Sequence, residues 1–225
     1  MTNRLKISKR LCVAAELCRR GSRIADVGTD HAYLPIYLLQ SGIAASGVVT
    51  DINKGPIDRA RANILEYGME KRLSAVLCDG LSKVEPHCAD DIFILGMGGE
   101  LIAKIISEAP WTKDPRVRLI LQPMTHPELL RKYLSDNGYE TVSETVVKDD
   151  KLYQIMAVEY SGKNIQYNEL ELMFGRLNLQ EGSPLLYELL DRTCEVMKER
   201  IKGKMIAGAD TSYEEKIIKM IGEIK

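Results

Sequence analysis

The chain has 225 residues, of which 45% are hydrophobic and 28% are charged, and its formal net charge is −1. A chain of this size and composition can bury an ordinary core, which excludes intrinsic disorder, and its apolar runs are shorter than the roughly 18 residues that cross a bilayer. The N-terminus lacks a signal-peptide apolar region, so we expect a cytoplasmic protein. The five cysteines include no C-x-x-C pair, which indicates reduced thiols and no metal site.

The charge is unevenly distributed, because residues 1–23 contain seven basic side chains and one acidic side chain. Such a segment is either a solvated helix face or a surface for nucleic-acid phosphates, since phosphate contacts supply most non-specific affinity for nucleic acids. Charge alone leaves both alternatives open.

Strand and helix patterns alternate along the first 160 residues. Ser8 is expected to cap a helix that ends at Gly21. Apolar segments rich in β-branched residues predict strands, and the segments between them have helical spacing. The predicted strands are Arg23–Val27, Ala45–Thr50, Ser74–Cys78, Asp91–Leu95, Arg118–Gln122, Glu140–Val147 and Tyr153–Glu159. The predicted helices are Leu34–Ser41, Gly55–Tyr67, Gly99–Glu108 and Pro127–Asn137.

This alternation predicts an α/β fold in which helices cover both faces of a parallel sheet. Only residues 148–151 separate the last two strands, which is too few for a crossover helix, so these strands must be antiparallel. A mostly parallel sheet with its last strand antiparallel is typical of the Rossmann-like class I methyltransferases, and it favours them over a dehydrogenase. We expect this methyltransferase domain to occupy residues 1–162.

Residues 163–225 are predicted to form a small helical extension. Apolar side chains recur at helical spacing from Leu186 to Met205 and again from Tyr213 to Ile224. The second run begins with Ser212–Glu215, which matches a capping box. The pattern predicts an antiparallel helical pair.

Acidic residues and glycines follow the predicted strands, at the edge where ligands bind to parallel sheets. A dinucleotide-binding turn would contain G-x-G-x-x-G, but the turn after the first strand has only Gly28. Asp30 in the same turn would also repel a pyrophosphate. These features disfavour a nicotinamide dehydrogenase.

The same positions suit S-adenosyl-L-methionine, which carries an ammonium group and no phosphate. Asp26 and Asp30 would attract the ammonium, Asp51 would accept hydrogen bonds from the ribose hydroxyls, and Asp79 would lie along the adenine. The candidate cofactor-binding residues are Asp26, Gly28, Thr29, Asp51, Ile52, Asp79, Gly80, Gly96, Met97 and Gly98. Gly96 and Gly98 are expected just beyond the fourth strand. That point lacks the Asn/Asp-Pro-Pro-aromatic motif of many enzymes that methylate exocyclic amines, which favours a ring nitrogen as acceptor.

With these motifs the chain resembles the bacterial tRNA methyltransferases that modify N1 of adenine 22, the TrmK family. The matching segments are SKRL at 8–11, ADVGTDHAYLP at 25–35, GMGG at 96–99 with LI at 101–102, and LILQP at 119–123. The resemblance covers about residues 7–160 and implies S-adenosyl-L-methionine as cofactor, tRNA as partner and a helical, coiled-coil-like C-terminal extension. The chain departs from the family pattern at Thr50-Asp51-Ile52-Asn53, where a Gly-Glu pair is expected, a change that keeps the carboxylate. It departs again at Met124, where asparagine is usual.

The resemblance also places an essential carboxylate at Asp30, and we expect His31 to orient either that carboxylate or the target base. Methylation at N1 leaves a positive charge on the purine, so Asp30 either stabilises that charge or accepts the exocyclic proton. Contacts to the tRNA backbone are expected from Lys6, Lys9, Arg10, Arg19 and Arg20. Two other classes remain open, a methyltransferase of a small molecule or protein and a non-catalytic RNA-binding protein. The oligomeric state stays open between a monomer and a weak dimer.

Overall fold

The computed structural model describes residues 5–224, and Arg4 of the basic segment lies outside them. The strands are β1 (Ser22–Val27), β2 (Ala44–Asp51), β3 (Leu73–Leu77), β4 (Asp91–Gly98), β5 (Arg118–Thr125), β6 (Tyr139–Lys148) and β7 (Leu152–Tyr160). The helices are α1 (Lys9–Glu16), α2 (Tyr33–Gln40), α3 (Lys54–Glu66), α4 (Gly99–Ser107), α5 (Pro127–Asp136), α6 (Glu169–Phe174), α7 (Arg176–Glu181), α8 (Pro184–Ile206) and α9 (Ser212–Gly222). In the part of the chain covered by these elements, no helix is long and apolar enough to span a membrane.

The seven strands form one sheet in the order β3-β2-β1-β4-β5-β7-β6. The first five strands pair in parallel, whereas β7 runs antiparallel to both of its neighbours, β5 and β6. The carboxyl ends of β1, β2, β3 and β4 therefore meet at one edge of the sheet. This arrangement confirms the predicted α/β fold class and its antiparallel last strand.

Alternating side chains of the central strands fill two separate cores. Phe93 of β4 points towards α1, α2 and α3, while its neighbours Ile92 and Ile94 point towards α4 and α5. All three side chains are completely buried. A strand that is buried on both faces is continuously apolar, which explains why these segments were predictable as strands.

Two boundaries differ from the prediction in ways that affect the site. β4 continues to Gly98 with irregular pairing to β5 after Leu95, so Gly96 and Gly98 lie within the strand end and not beyond it. Gly96 has a φ of +79°, which glycine adopts without strain and which interrupts the regular pleat. Helix α1 is capped by Ser8 as predicted, but it ends at Glu16, before Gly21.

The C-terminal region contains four helices instead of the predicted pair. The short helices α6 and α7 precede the two long ones, and α6 begins with a capping box formed by Asn168 and Glu171. The capping box predicted at Ser212 is wrong, because Thr211 precedes α9 without a side-chain cap bond. The Ser212 hydroxyl instead donates to Asp210, at 2.6 Å.

A buried ion pair joins the helical extension to the sheet. Arg131 of α5 and Glu144 of β6 are almost completely inaccessible and lie 2.9 Å apart. Arg131 also donates to the Leu172 carbonyl of α6, at 2.9 Å, and Glu144 accepts from the Leu177 amide of α7, at 2.8 Å. A Cβ at Gly175, between these helices, would lie 2.1 Å from a Glu144 carboxylate oxygen. Glycine is therefore needed for the Glu144 side chain to pack against the backbone here.

Candidate active site

A cleft at the carboxyl edge of the sheet contains most of the predicted cofactor residues. It has two lobes, both of which Gly28 and Leu95 line. The lobe that we call the Asp26 lobe is lined by Arg10, Leu11, Asp26, Gly28, Thr29, Asp30, His31, Ala32, Tyr33, Leu34 and Leu95. The lobe that we call the Asp51 lobe is lined by Val27, Gly28, Asp51, Ile52, Asn53, Asp79, Gly80, Leu95, Gly96, Met97, Leu101, Lys104 and Ile105.

Asp26, near the end of β1, is a buried carboxyl group, with 8% of its surface exposed. Burial raises its pKa to about 6, although a hydrogen bond with the Thr29 side chain acts in the opposite direction. Asp26 forms no salt bridge with a basic residue among residues 5–224. A cationic ligand in this lobe would therefore find a carboxylate whose charge the protein does not compensate.

Arg10 of α1 supplies the opposite charge in the same lobe. Its guanidinium donates to the Gln122 side-chain oxygen at 2.6 Å and lies over the Tyr153 ring, 5.2 Å from the centroid. These contacts fix the side chain, but no salt bridge of the described residues neutralises it. The Asp26 lobe thus presents one uncompensated anion and one uncompensated cation.

The turn after β1 carries the predicted catalytic pair. The Asp30 side chain is 62% exposed, and the His31 Nε2 atom lies 3.1 Å from Asp30 Oδ2. The other oxygen, Oδ1, pairs with Arg59 of α3, whose hydrogen bond holds the pKa of Asp30 below its usual range. The His31 ring stacks on the Tyr33 ring, 5.0 Å between centroids and 10° between planes. The Asp30 carboxylate is consequently ionised, with His31 next to one oxygen and Arg59 next to the other.

The Asp51 lobe gathers the residues predicted to bind a nucleoside. Asp51 accepts a hydrogen bond from the Asn53 amide at 2.7 Å, and Ile52 is 63% exposed beside it. Gly80, which follows Asp79, has a φ of +51°, and a Cβ there would lie 3.1 Å from Ile105. A carboxylate, an exposed apolar side chain and accessible backbone are a suitable lining for a ribose and an adenine.

Gly28 separates the two lobes and leaves its backbone accessible. Its φ is +75°, and a Cβ there would lie 2.0 Å from the Met97 methyl group. The positive φ favours glycine at this point, whereas the Met97 methyl group is the end of a flexible side chain and could move aside. Gly98 lines neither lobe; a Cβ at Gly98 would lie 3.1 Å from the Thr125 hydroxyl.

The five basic residues predicted to contact tRNA lie at opposite edges of the sheet. Arg10 reaches Gln122 near the carboxyl end of β5, and the exposed Lys6 and Lys9 precede it. Arg19, by contrast, donates through Nε to Asp91 at 2.6 Å, at the start of β4, and the exposed Arg20 follows it. Of these residues, Arg10 lines the cleft, whereas Lys6 lines a separate surface pocket with Tyr37 of α2.

Two basic residues at the cleft were not predicted from the sequence. Lys104 of α4 lines the Asp51 lobe, and Arg59 of α3 pairs with Asp30. Helix α3 contains four other charged residues and α4 contains one, Glu100, and no sequence pattern marked Arg59 or Lys104 among them. Within the described part of the chain no group of acidic, histidine and cysteine side chains could hold a metal ion.

Comparison with known proteins agrees with this architecture. A family model described as a methyltransferase domain matches residues 7–156. The tRNA (adenine(22)-N(1))-methyltransferase of Bacillus subtilis is 35% identical over 176 residues, which are 78% of this chain and 74% of that protein. A Streptococcus agalactiae structure described as an NADB-Rossmann superfamily protein has a TM-score of 0.90 and 32% identity, covering 100% of this chain and 99% of that one.

A third relative has been solved in complex with a ligand. The structure of M. capricolum TrmK in complex with its cofactor product, S-adenosyl-homocysteine, has a TM-score of 0.75 and 26% identity, covering 97% of this chain and 99% of that one. The sheet order, the cleft and these similarities agree with one another. This chain belongs to the methyltransferase domain family and, within it, to the family of the tRNA (adenine(22)-N(1))-methyltransferases.

Proposed function

We propose that this protein transfers the methyl group of S-adenosyl-L-methionine to N1 of adenine 22 in tRNA. The observation that carries the proposal is the cleft itself, where the charged Asp26 lobe and the Asp51 lobe meet at Gly28. The Bacillus subtilis relative, at 35% identity, is named for this reaction. The substrate position is taken from that relative, and the chemistry is supported by the residues of the cleft.

The uncompensated charges of the Asp26 lobe match the amino-acid end of the cofactor. The Asp26 carboxylate would bind the ammonium group, and the Arg10 guanidinium would bind the carboxylate. Asp51 would accept hydrogen bonds from the ribose hydroxyls, and the exposed Ile52 would pack on the adenine. We therefore assign Arg10 to the cofactor in preference to the tRNA backbone.

Methyl transfer needs little side-chain chemistry, so positioning of the acceptor dominates. S-adenosyl-L-methionine supplies a sulfonium methyl group, which the N1 lone pair takes as the carbon–sulfur bond breaks, leaving S-adenosylhomocysteine and a cationic 1-methyladenine. Asp30, exposed at the mouth of the Asp26 lobe, would accept a hydrogen bond from the exocyclic amine next to N1. Its depressed pKa makes it a weak base, and we therefore assign Asp30 to electrostatic stabilisation of the growing positive charge.

The tRNA would approach from the side of the basic N-terminal residues. N1 of a paired adenine is hidden on the Watson–Crick edge, so the target base has to be unpaired or extruded. Lys6 and Lys9 are exposed and precede Arg10, which lines the cleft, and they would contact backbone phosphates. Arg19 and Arg20 are left out of this surface because Arg19 is bound to Asp91 at the opposite edge.

A methyl-transfer assay tests the function directly. Labelled S-adenosyl-L-methionine is incubated with unmodified tRNA transcripts that differ only by adenine or guanine at position 22. We expect label in the adenine transcript alone, with an Asp30→Asn variant as the inactive control. Label in both transcripts would move the target to another nucleotide. Label in neither, with cofactor binding measured by calorimetry, would favour a small-molecule or protein substrate.

A further inference from the structure

Helix α3 contacts the turn that carries Asp30 at two points. Arg59 pairs with the Asp30 carboxylate, and Asn63, one helical turn later, donates through its side-chain amide to the His31 carbonyl at 2.8 Å. Residues four apart lie on the same face of a helix. A single face of α3 thus holds both the side chain and the backbone of this turn.

The geometry of α3 keeps Arg59 in this position. Its guanidinium folds back along the helix, and one of its nitrogens would lie 3.5 Å from a Cβ at Gly55, in the first turn. The turn that it holds contains Ala32, whose φ of +56° is unusual for a residue with a side chain. The turn therefore depends on contacts from outside, and α3 supplies them.

We propose that Arg59 is a positioning residue, which orients the Asp30 carboxylate for methyl transfer. The inference rests on the function proposed above and adds to it a residue outside both lobes of the cleft. The other charged groups around Asp30 are His31, from its own turn, and Asp26 and Arg10, which line the same lobe. Among the described residues, His31 and Arg59 form salt bridges with Asp30, and Arg59 is the partner that comes from another element and holds the Oδ1 atom.

The same helix begins next to the Asp51 lobe. Asp51 and Ile52, which line the second lobe, directly precede α3, and Arg59 lies one to two turns along it. α3 consequently connects the residues that would bind the ribose with the carboxylate that would face the target base. Loss of Arg59 is expected to misplace Asp30 while the cofactor residues stay in position.

Three variants test the inference. Arg59→Gln removes the charge, Arg59→Lys restores it, and Arg61→Gln removes a charge from the same helix. Arg61 is a matched control, since it is exposed and pairs with Asp58, away from Asp30. The first measurement is a carbon-13 NMR titration of the Asp30 carboxyl group, which an Asp30→Asn variant assigns. The second is the pH dependence of kcat, with separate KM values for cofactor and tRNA.

We expect Arg59→Gln to titrate Asp30 at a higher pH than the wild type, because the guanidinium that favours the ionised form is gone. Its kcat should fall about 10- to 100-fold, as expected when a reacting group is misplaced, with the KM for the cofactor changed less than about twofold. The acid limb of its pH profile should move to higher pH. Arg59→Lys should recover most of kcat, and Arg61→Gln should match the wild type.

The two measurements separate this inference from the proposed function. An Asp30 titration that is the same in the wild type and Arg59→Gln overturns the inference whether or not the protein methylates tRNA. An active wild type with equal kcat for Arg59→Gln and Arg61→Gln also overturns it and leaves the function intact. A wild type that methylates no tRNA refutes the proposed function. The titration then tests only whether Arg59 contacts Asp30.

Discussion

Asp26→Asn is expected to stabilise the protein and weaken cofactor binding at the same time. The carboxyl group of Asp26 is buried without a cationic partner among the described residues, and its pKa is raised from 3.8 to about 6. At neutral pH the folded protein therefore holds a buried carboxylate that it does not neutralise. Asparagine has nearly the same shape and carries no charge.

The size and sign of the effect follow from the shift in pKa. Because the pKa is higher in the folded state, the stabilisation from this group is complete below pH 3.8 and is lost as the pH rises through about 6. A difference of about two pH units corresponds to about 3 kcal/mol, since one unit is 1.36 kcal/mol. The free energy of unfolding of Asp26→Asn should thus exceed that of the wild type by about 3 kcal/mol at pH 8 and by about half as much at pH 5.

Urea unfolding of the cofactor-free protein at pH 5 and pH 8 measures these gains. Glu70→Gln removes an exposed carboxylate and controls for the change in net charge. Calorimetry should show that Asp26→Asn loses about 10- to 100-fold in affinity for S-adenosyl-L-methionine, because a charge-assisted hydrogen bond is lost. A stability gain of equal size at both pH values, or an unchanged cofactor affinity, would refute the reasoning.

Three further predictions concern other parts of the molecule. Arg10→Gln should lower the affinity for S-adenosyl-L-methionine about 10- to 100-fold in calorimetry. The affinity for 5′-methylthioadenosine, which lacks the amino-acid end, should be unchanged, and equal losses for both ligands would contradict the assignment. Reversing the charges of Lys6 and Lys9 should weaken tRNA binding. It should also lower the slope of the logarithm of the binding constant against the logarithm of salt concentration by about two, whereas Arg20→Glu, at the opposite edge, should do neither. Filter binding at several salt concentrations distinguishes the two sites. Glu144→Ala should cost about 3–5 kcal/mol in urea unfolding, because it leaves a buried arginine unpaired, and a cost below about 1 kcal/mol would argue against that burial.

The sheet could be predicted because its central strands are buried on both faces. Phe93 and its neighbours form a continuous apolar run, which has few alternatives in a soluble α/β fold. Helices α6 and α7 were missed because six residues are fewer than two helical turns, too few for a periodic pattern. The Asn168–Glu171 capping box was the one local pattern that could have revealed α6.

The site was predictable where it depends on topology and unpredictable where it depends on long-range contacts. Parallel strands end at a common edge, so the acidic residues at Asp26 and Asp51 could be placed together from the sequence. The direction of Arg10 depends on Gln122, 112 residues away, and the role of Arg59 depends on α3 packing beside the turn after β1. Charge composition grouped Arg10 with Arg19, whereas the fold separates them by the length of a strand.

The buried pair of Arg131 and Glu144 limits how this protein can be divided or recombined. A fragment ending near residue 162 would retain both side chains but lose the carbonyl and amide groups of α6 and α7 that bond to them. It would also expose Val146 and Leu152, which pack against the C-terminal helices. The extension is therefore not a detachable module: an attempt to transplant the methyltransferase sheet alone would have to redesign the surfaces of α5 and β6.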